Sequence, residues 1–229
     1  MGKFLIIGGS SGIGKSLSEI LLDQGHEVFA TYKSTNTDWI EGVSYHYFDV
    51  LEDNKVDFIE GELDGVVYCP GSIPLKPFRR LEKDDLVNDF NLHVTGAVNV
   101  IQQVLTNLKK SSNASIVLIS SVAGDVGFNF HSQISICKGA INGLVKALSA
   151  ELAPKIRVNA VAPSLTNTSM TQSLLNTEEK VKVNGDRHPL KRVGSSKDIA
   201  YAIDMLLCDK SSWITGQIIN VDGGIGAIK

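Results

Sequence analysis

Short apolar runs and longer amphipathic stretches take turns along the whole chain. Phe4 to Ile7 is a continuous apolar run, a glycine-rich stretch follows, and apolar residues then recur at Ile13, Leu17, Ile20 and Leu21. The run predicts a buried strand and the recurrence a helix, which Gly25 ends; Val28 to Tyr32 predicts a second strand and completes a β-α-β unit. Further strand-like runs are DGVVYCPG, ending in a turn at Pro70 and Gly71, ASIVLISSVAG, ending at Ser120 and Ser121, IRVNAVAP, ending at Pro163, and GQIINVDGG, ending at Asp222. Helical periodicity lies between them: from Leu86 to Leu108, from Cys137 to Leu152, and through SSKDIAYAIDMLLCD, where Ser195 or Ser196 caps and Ile199, Ile203, Leu206 and Leu207 form the stripe.

Strands that are apolar throughout need cover on both faces, and their alternation with helices predicts a doubly wound, Rossmann-like parallel sheet. No linker, repeat or low-complexity tract interrupts the pattern, so residues 1–229 read as one α/β domain. In open sheets of this kind ligands bind beyond the carboxyl ends of the strands, where all the turns just named would sit.

Composition narrows the function classes. A formal net charge of −3 offers no basic footprint for nucleic acid. The apolar runs are too short to span a bilayer and no signal peptide precedes the first of them, which predicts a soluble, cytoplasmic protein without a membrane partner. Cys69, Cys137 and Cys208 are far apart and not in metal-ligand spacing, so they read as small buried hydrophobes and no metal is expected.

The first chemistry lies in the glycine turn. Gly8, Gly12 and Gly14 between a strand and a helix let the backbone approach a pyrophosphate, which the helix N-terminus then holds with free N–H groups; Ser10 and Ser11 add hydroxyls for a phosphate.

From Lys3 to nearly its last residue the chain resembles the short-chain dehydrogenase/reductases. The family's TGxxxGxG fingerprint corresponds to IGGSSGIG, including Ile13; its adenine-contacting aspartate to Asp49 in YFDV; and its active-site asparagine to Asn91 in NDFNLHVTG. The catalytic serine matches Ser121, the lysine Lys138, and RVNAVAP with Pro163 and Thr168 matches the segment that holds the nicotinamide carboxamide. The tail HPLKRVGSSKDIAYAIDMLLCDKSSWITGQIINVDGG is similar to the family's C-terminal signature. The resemblance implies an NAD(P)-dependent oxidoreductase acting on a small carbonyl or alcohol. It also implies pairing into a homodimer or homotetramer through the helix Cys137 to Leu152 and the region from Trp213 to Gly224.

One member of the catalytic set is missing. The family's tyrosine lies 13 residues after the serine and four before the lysine, and both counts land on Ile134. That tyrosine meets the charge that builds on a carbonyl oxygen during hydride transfer, and isoleucine donates nothing. A positioned general acid contributes roughly 10²–10⁴ in rate, so a weaker catalyst using Ser121 and water remains physically sound. Ile134, Ile141 and Val145 also share a helical stripe, which gives the isoleucine a packing role. A lysine on such a stripe needs a partner, and the cofactor ribose fits Lys138. His131, one turn before the helix, and Tyr68, at a strand end, are the side chains that offer a substitute proton; His93 reads as packing.

Other departures from the family are YCPG, with Gly71, for NNAG, Ile7 for the opening threonine, and Pro163-Ser164 for Pro-Gly. An acid at the end of the second strand would select NAD; Tyr32 stands there with Lys33 after it, which favours NADP(H) over NAD(H). The segment from Leu165 to Gly194 reads as a mobile lid with an apolar wall of Leu165, Met170, Leu174 and Leu175. Against the reductase stands a nucleotide-binding sensor or partner subunit without catalysis. A lyase- or isomerase-type chemistry has no residue that argues for it.

Overall fold

A computed structural model describes residues 1–34 and 38–228. Seven parallel strands form the central sheet: β1 (Lys3–Ile7), β2 (Glu27–Tyr32), β3 (Ser44–Tyr47), β4 (Gly65–Tyr68), β5 (Ala114–Ile119), β6 (Ile156–Pro163) and β9 (Ile218–Val221). Their order is β3-β2-β1-β4-β5-β6-β9, and a two-stranded ribbon joins β7 (Thr166–Asn167) to β8 (Gly194–Ser195). The helices are α1 (Gly12–Asp23), α2 (Lys83–Phe90), α3 (Gly96–Leu108), α4 (Ser132–Leu152), α5 (Glu178–Asp186) and α6 (Ser196–Leu207). The expected doubly wound α/β fold is therefore the observed one.

Side chains alternate across each strand, so one apolar run feeds two cores. Leu5, Ile7, Val66, Ile116, Leu118 and Val158 face the core shared with α3 and α4, which adds Val100, Val104, Ile141 and Val145. Phe4, Ile6, Val67, Val117 and Val161 face the other, against Leu17 and Leu21 of α1 and Ile199, Ile203 and Leu206 of α6. Two buried polar residues of β6 tie the C-terminal segment to the sheet. Arg157 donates to the carbonyls of Leu206 (2.7 Å) and Leu207 (3.3 Å), meeting the open end of α6, and Asn159 donates to Ile214 O while accepting from Gln217 N–H.

The long helix expected from Leu86 to Leu108 is interrupted. A π-helical turn over Asn91–Thr95 separates α2 from α3. The Tyr68 hydroxyl donates to the carbonyl of Leu92 at 2.6 Å, and a Cβ on Gly96 would overlap that hydroxyl. The phenol on β4 thus fills the space where a regular helix with a larger residue at position 96 would run. Apolar periodicity carries no sign of this because it continues through the turn.

Candidate active site

The strand order changes direction between β1 and β4, and a cavity of about 670 Å³ opens beyond the carboxyl ends of the strands. Gly8, Ser10, Ser11, Gly12, Ile13 and Gly14 form one end of it. Gly8 and Gly12 hold positive φ (+76° and +53°), and a Cβ on Gly14 would overlap the Gly8 carbonyl. Helix α1 therefore begins directly against the turn, with extended Ser11 as its N-cap, whose own side chain makes no capping hydrogen bond. That is a cradle shaped for a phosphate to approach backbone, and it fits the pyrophosphate of a dinucleotide. Where the family opens with threonine, the chain has the buried Ile7, and the turn is held instead by the Gly8 N–H donating to Thr31 Oγ1 at 2.9 Å.

Tyr32, Lys33 and Asp49 line the next part of the cavity. Lys33 Nζ lies 2.8 Å from Asp49 Oδ2, and Asp49 Oδ1 accepts from the Leu51 N–H. The hydrogen bond to Asp49 raises the Lys33 pKa, and the lysine and the Leu51 N–H hold the Asp49 carboxyl below its ordinary value against the effect of its burial. Gly71 follows, and a Cβ there would stand 2.7 Å from His93 Cε1.

Ser121, Ile134 and Lys138 line the deeper part with Pro163 and Thr168. Ser121 Oγ accepts from the Ala123 N–H at 3.2 Å and donates to the Pro163 carbonyl at 3.3 Å. Its neighbour Ser120 is committed elsewhere, donating to Asn142 Oδ1 at 2.5 Å. Lys138 is buried, donates to Ile119 O at 2.7 Å, and has its pKa pushed down to about 8 by desolvation. Ile134 is 3% exposed, so its side chain both packs on α4 and closes the cavity wall one turn before the lysine.

Three sequence expectations need correction. Asn91 does not line the cavity: its side chain is exposed and accepts from Thr95 Oγ1 at 3.2 Å, because the π turn rotates its neighbours Leu92 and His93 inward instead. Tyr68 is no proton donor to this cavity, since its hydroxyl is spent on Leu92 O and burial drives its pKa far up. Leu175 packs into the interior, whereas Leu165, Met170 and Leu174 do line the cavity. His131 lines it as expected, with Nδ1 donating to the Asn129 carbonyl at 2.7 Å.

Two histidines in the wall were not legible as such. His93 accepts the Ser72 N–H at Nε2 (3.1 Å), which places its proton on Nδ1; that atom is buried with no partner among the described residues. Burial, with the nearby Lys138 ammonium, pulls its pKa down to about 3, so the ring is neutral. His188, 3% exposed, faces Ser164 across 2.9 Å, and both line the cavity. The only sequence signal was Ser164 in the place of the family's glycine. No group of His, Cys, Asp and Glu among the described residues could hold a metal ion, and no helix among them is long and apolar enough to cross a membrane.

A doubly wound sheet whose switch point carries a glycine cradle, followed by a serine and a buried lysine in one cavity, defines a dinucleotide-binding oxidoreductase. The family model described as enoyl-(acyl carrier protein) reductase matches residues 8–226. The chain belongs to the short-chain dehydrogenase/reductase family, whose members are NAD(P)-dependent oxidoreductases. It is 32% identical over 238 residues to the 3-oxoacyl-[acyl-carrier-protein] reductase FabG of Thermotoga maritima, with 96% of each chain covered. It is also 30% identical to the oxidoreductase YmfI of Bacillus subtilis over 96% of this chain and 97% of that one. Among solved structures it is similar to a short-chain dehydrogenase family protein from Francisella tularensis (28% identity, 99% of both chains, TM-score 0.91) and to ElxO with NADP bound (28% identity, 98% of both chains, TM-score 0.89).

Proposed function

We propose that this protein is an NADP(H)-dependent reductase of small carbonyl compounds. The observation that carries the reading is the single cavity that joins the glycine cradle to Ser121, Lys138 and the apolar lid residues Leu165, Met170 and Leu174. A pocket of this size takes a dinucleotide and a small substrate end to end, and apolar walls with few polar groups are what an orienting site needs. When bound, the dinucleotide supplies the hydride. The chain's own groups do the rest: the α1 N-terminus holds phosphate, Lys138 offers its remaining N–H donors to ribose hydroxyls, and Ser121 Oγ holds the substrate oxygen. Lys33 at the rim, next to Tyr32, supports NADP(H) over NAD(H), and an NADP-bound relative at 28% identity points the same way.

Pairing into a homodimer or homotetramer through α4 and residues 213–224 belongs to the same reading, supported by the exposed Ile136 and Trp213. Light scattering on the purified protein tests it.

Titration of NADPH and NADH into wild type and Ile134→Tyr, followed by turnover on a panel of small ketones and aldehydes, tests the function. Wild type should bind NADPH and reduce at least one compound slowly. Tight binding with silence on every compound would make the protein a nucleotide sensor, and failure to bind either nucleotide would remove the cofactor assignment.

A further inference from the structure

A second serine, Ser164, lines the cavity opposite a buried histidine, His188. His188 Nδ1 lies 2.9 Å from the carbonyl oxygen of Asn184 on α5, and a carbonyl only accepts, so Nδ1 carries hydrogen. The other ring nitrogen, Nε2, is 2.9 Å from Ser164 Oγ. The ring is clamped from a third side, where a Cβ on Gly223 (φ +62°) would meet its Cβ and Cδ2 at 3.3 and 3.4 Å. Serine, histidine and an orienting carbonyl in a row form a proton-conducting couple.

The couple lines the same cavity as Ser121 and Lys138. Ser164 is the residue after Pro163, whose carbonyl Ser121 already touches, and Ser164, His188, Asn184, Ser121 and Lys138 all line the same cavity. Ser164 and His188 also form the wall of a second cavity of about 370 Å³, lined further by Asp222, Arg192 and Asp198. The pair therefore lines both cavities. The charged side chains that line the two cavities are Lys33, Asp49, Lys138 and Arg187 in the first and those three in the second.

We propose that Ser164 is the catalytic proton donor to the carbonyl oxygen, with His188 as the residue that reloads it, in place of the tyrosine that Ile134 has displaced. This rests on the reductase reading above. As the carbonyl carbon accepts hydride, the substrate oxygen takes the Ser164 hydroxyl proton, and Ser164 Oγ takes the Nε2 proton of an imidazolium. The ring is left neutral, with its Nδ1–H still on Asn184. Solvent in the second cavity returns one proton to the pair, so each turnover consumes one hydride and one proton. In oxidation the neutral pair runs the same path backwards as base.

The test is a set of variants, Ser164→Gly, Ser164→Thr, His188→Gln and His131→Ala, each checked by thermal melting, NADPH affinity, and kcat and KM on ethyl acetoacetate and other small ketones. Ser164→Gly installs the family's own residue and is expected to fold. It should lower kcat by about 10²-fold or more with KM and NADPH affinity within about twofold, while Ser164→Thr, which keeps the hydroxyl, restores most of the rate. His188→Gln should lose a similar factor, and the double variant should be no slower than either single one, because the two act as a unit. Independent of turnover, the Nε2 resonance of His188 in ¹⁵N-histidine-labelled protein should move in Ser164→Gly while the Nδ1–H signal stays. Wild-type turnover in Ser164→Gly overturns the proposal and leaves the reductase reading intact, as does a rate lost only in His131→Ala. A wild type that binds NADPH but reduces nothing overturns both.

Discussion

Lys138 Nζ donates to the carbonyl oxygen of Ile119 across 2.7 Å, and among the described residues no carboxylate pairs with this buried ammonium. A cation held by one dipole is costly to bury, and its pKa accordingly falls from 10.5 to about 8. Between those two values the unfolded chain binds the proton and the folded chain does not, so this group makes stability rise with pH from about 8 to 10.5. We expect the nucleotide-free protein to melt higher at pH 9.5 than at pH 7.5 through this contribution, on the order of 2 kcal/mol. Lys138→Met should flatten that rise, raise the melting temperature at neutral pH and weaken nucleotide binding. Scanning calorimetry across pH on both proteins checks it.

Ile134→Tyr restores a phenol one turn before the lysine, on a side chain that already lines the cavity. Turnover should rise by about 10²-fold, within the range a positioned acid contributes, with nucleotide affinity little changed. The isoleucine is also 3% exposed, so the larger ring should cost about 1–3 kcal/mol of stability. Steady-state kinetics and a urea melt separate the two effects.

Lys33→Ala should lower NADPH affinity by about tenfold while leaving NADH within about twofold, the loss of one charge-assisted phosphate contact at an exposed rim. Because Lys33 also pairs with Asp49, Asp49→Asn should free the lysine and strengthen the preference for NADPH. Fluorescence titration with both nucleotides reads the ratio, and an unchanged ratio in both variants sinks the assignment of Lys33.

Gly14→Ala places a Cβ on the Gly8 carbonyl oxygen, a backbone atom that cannot step aside. Helix α1 must then withdraw from the turn. Nucleotide affinity should fall by 10²-fold or more, on the order of 3 kcal/mol, with the far-ultraviolet circular dichroism spectrum retained. Isothermal titration with NADPH gives the number.

Much of the site was legible because it lies at the ends of strands whose limits the apolar runs mark. The glycine turn, Ser10, Ser11, Tyr32 and Lys33 were read from such ends, whereas Ile13, Asp49, Gly71, Ser121, Lys138, Pro163 and Thr168 came from the family resemblance; all of them line the cavity. Asn91 was assigned with the latter group and does not line it, since the π turn interrupts the helix there and its side chain meets Thr95 instead. Tyr68 looked available at the end of β4 and is instead consumed by Leu92, a partner 24 residues away.

By itself the sequence determined the alternating strands and helices, because each follows from spacing within one element, and its register against the family resemblance put Ile134 where a tyrosine is expected. Only the tertiary structure decided that Lys33 spends its charge on Asp49, that His93 is a neutral wall, and that Ser164 meets His188. Those pairings depend on where loops return to the sheet. Periodicity records a residue's neighbours within its own element, and carries nothing about the element that will fold back against it.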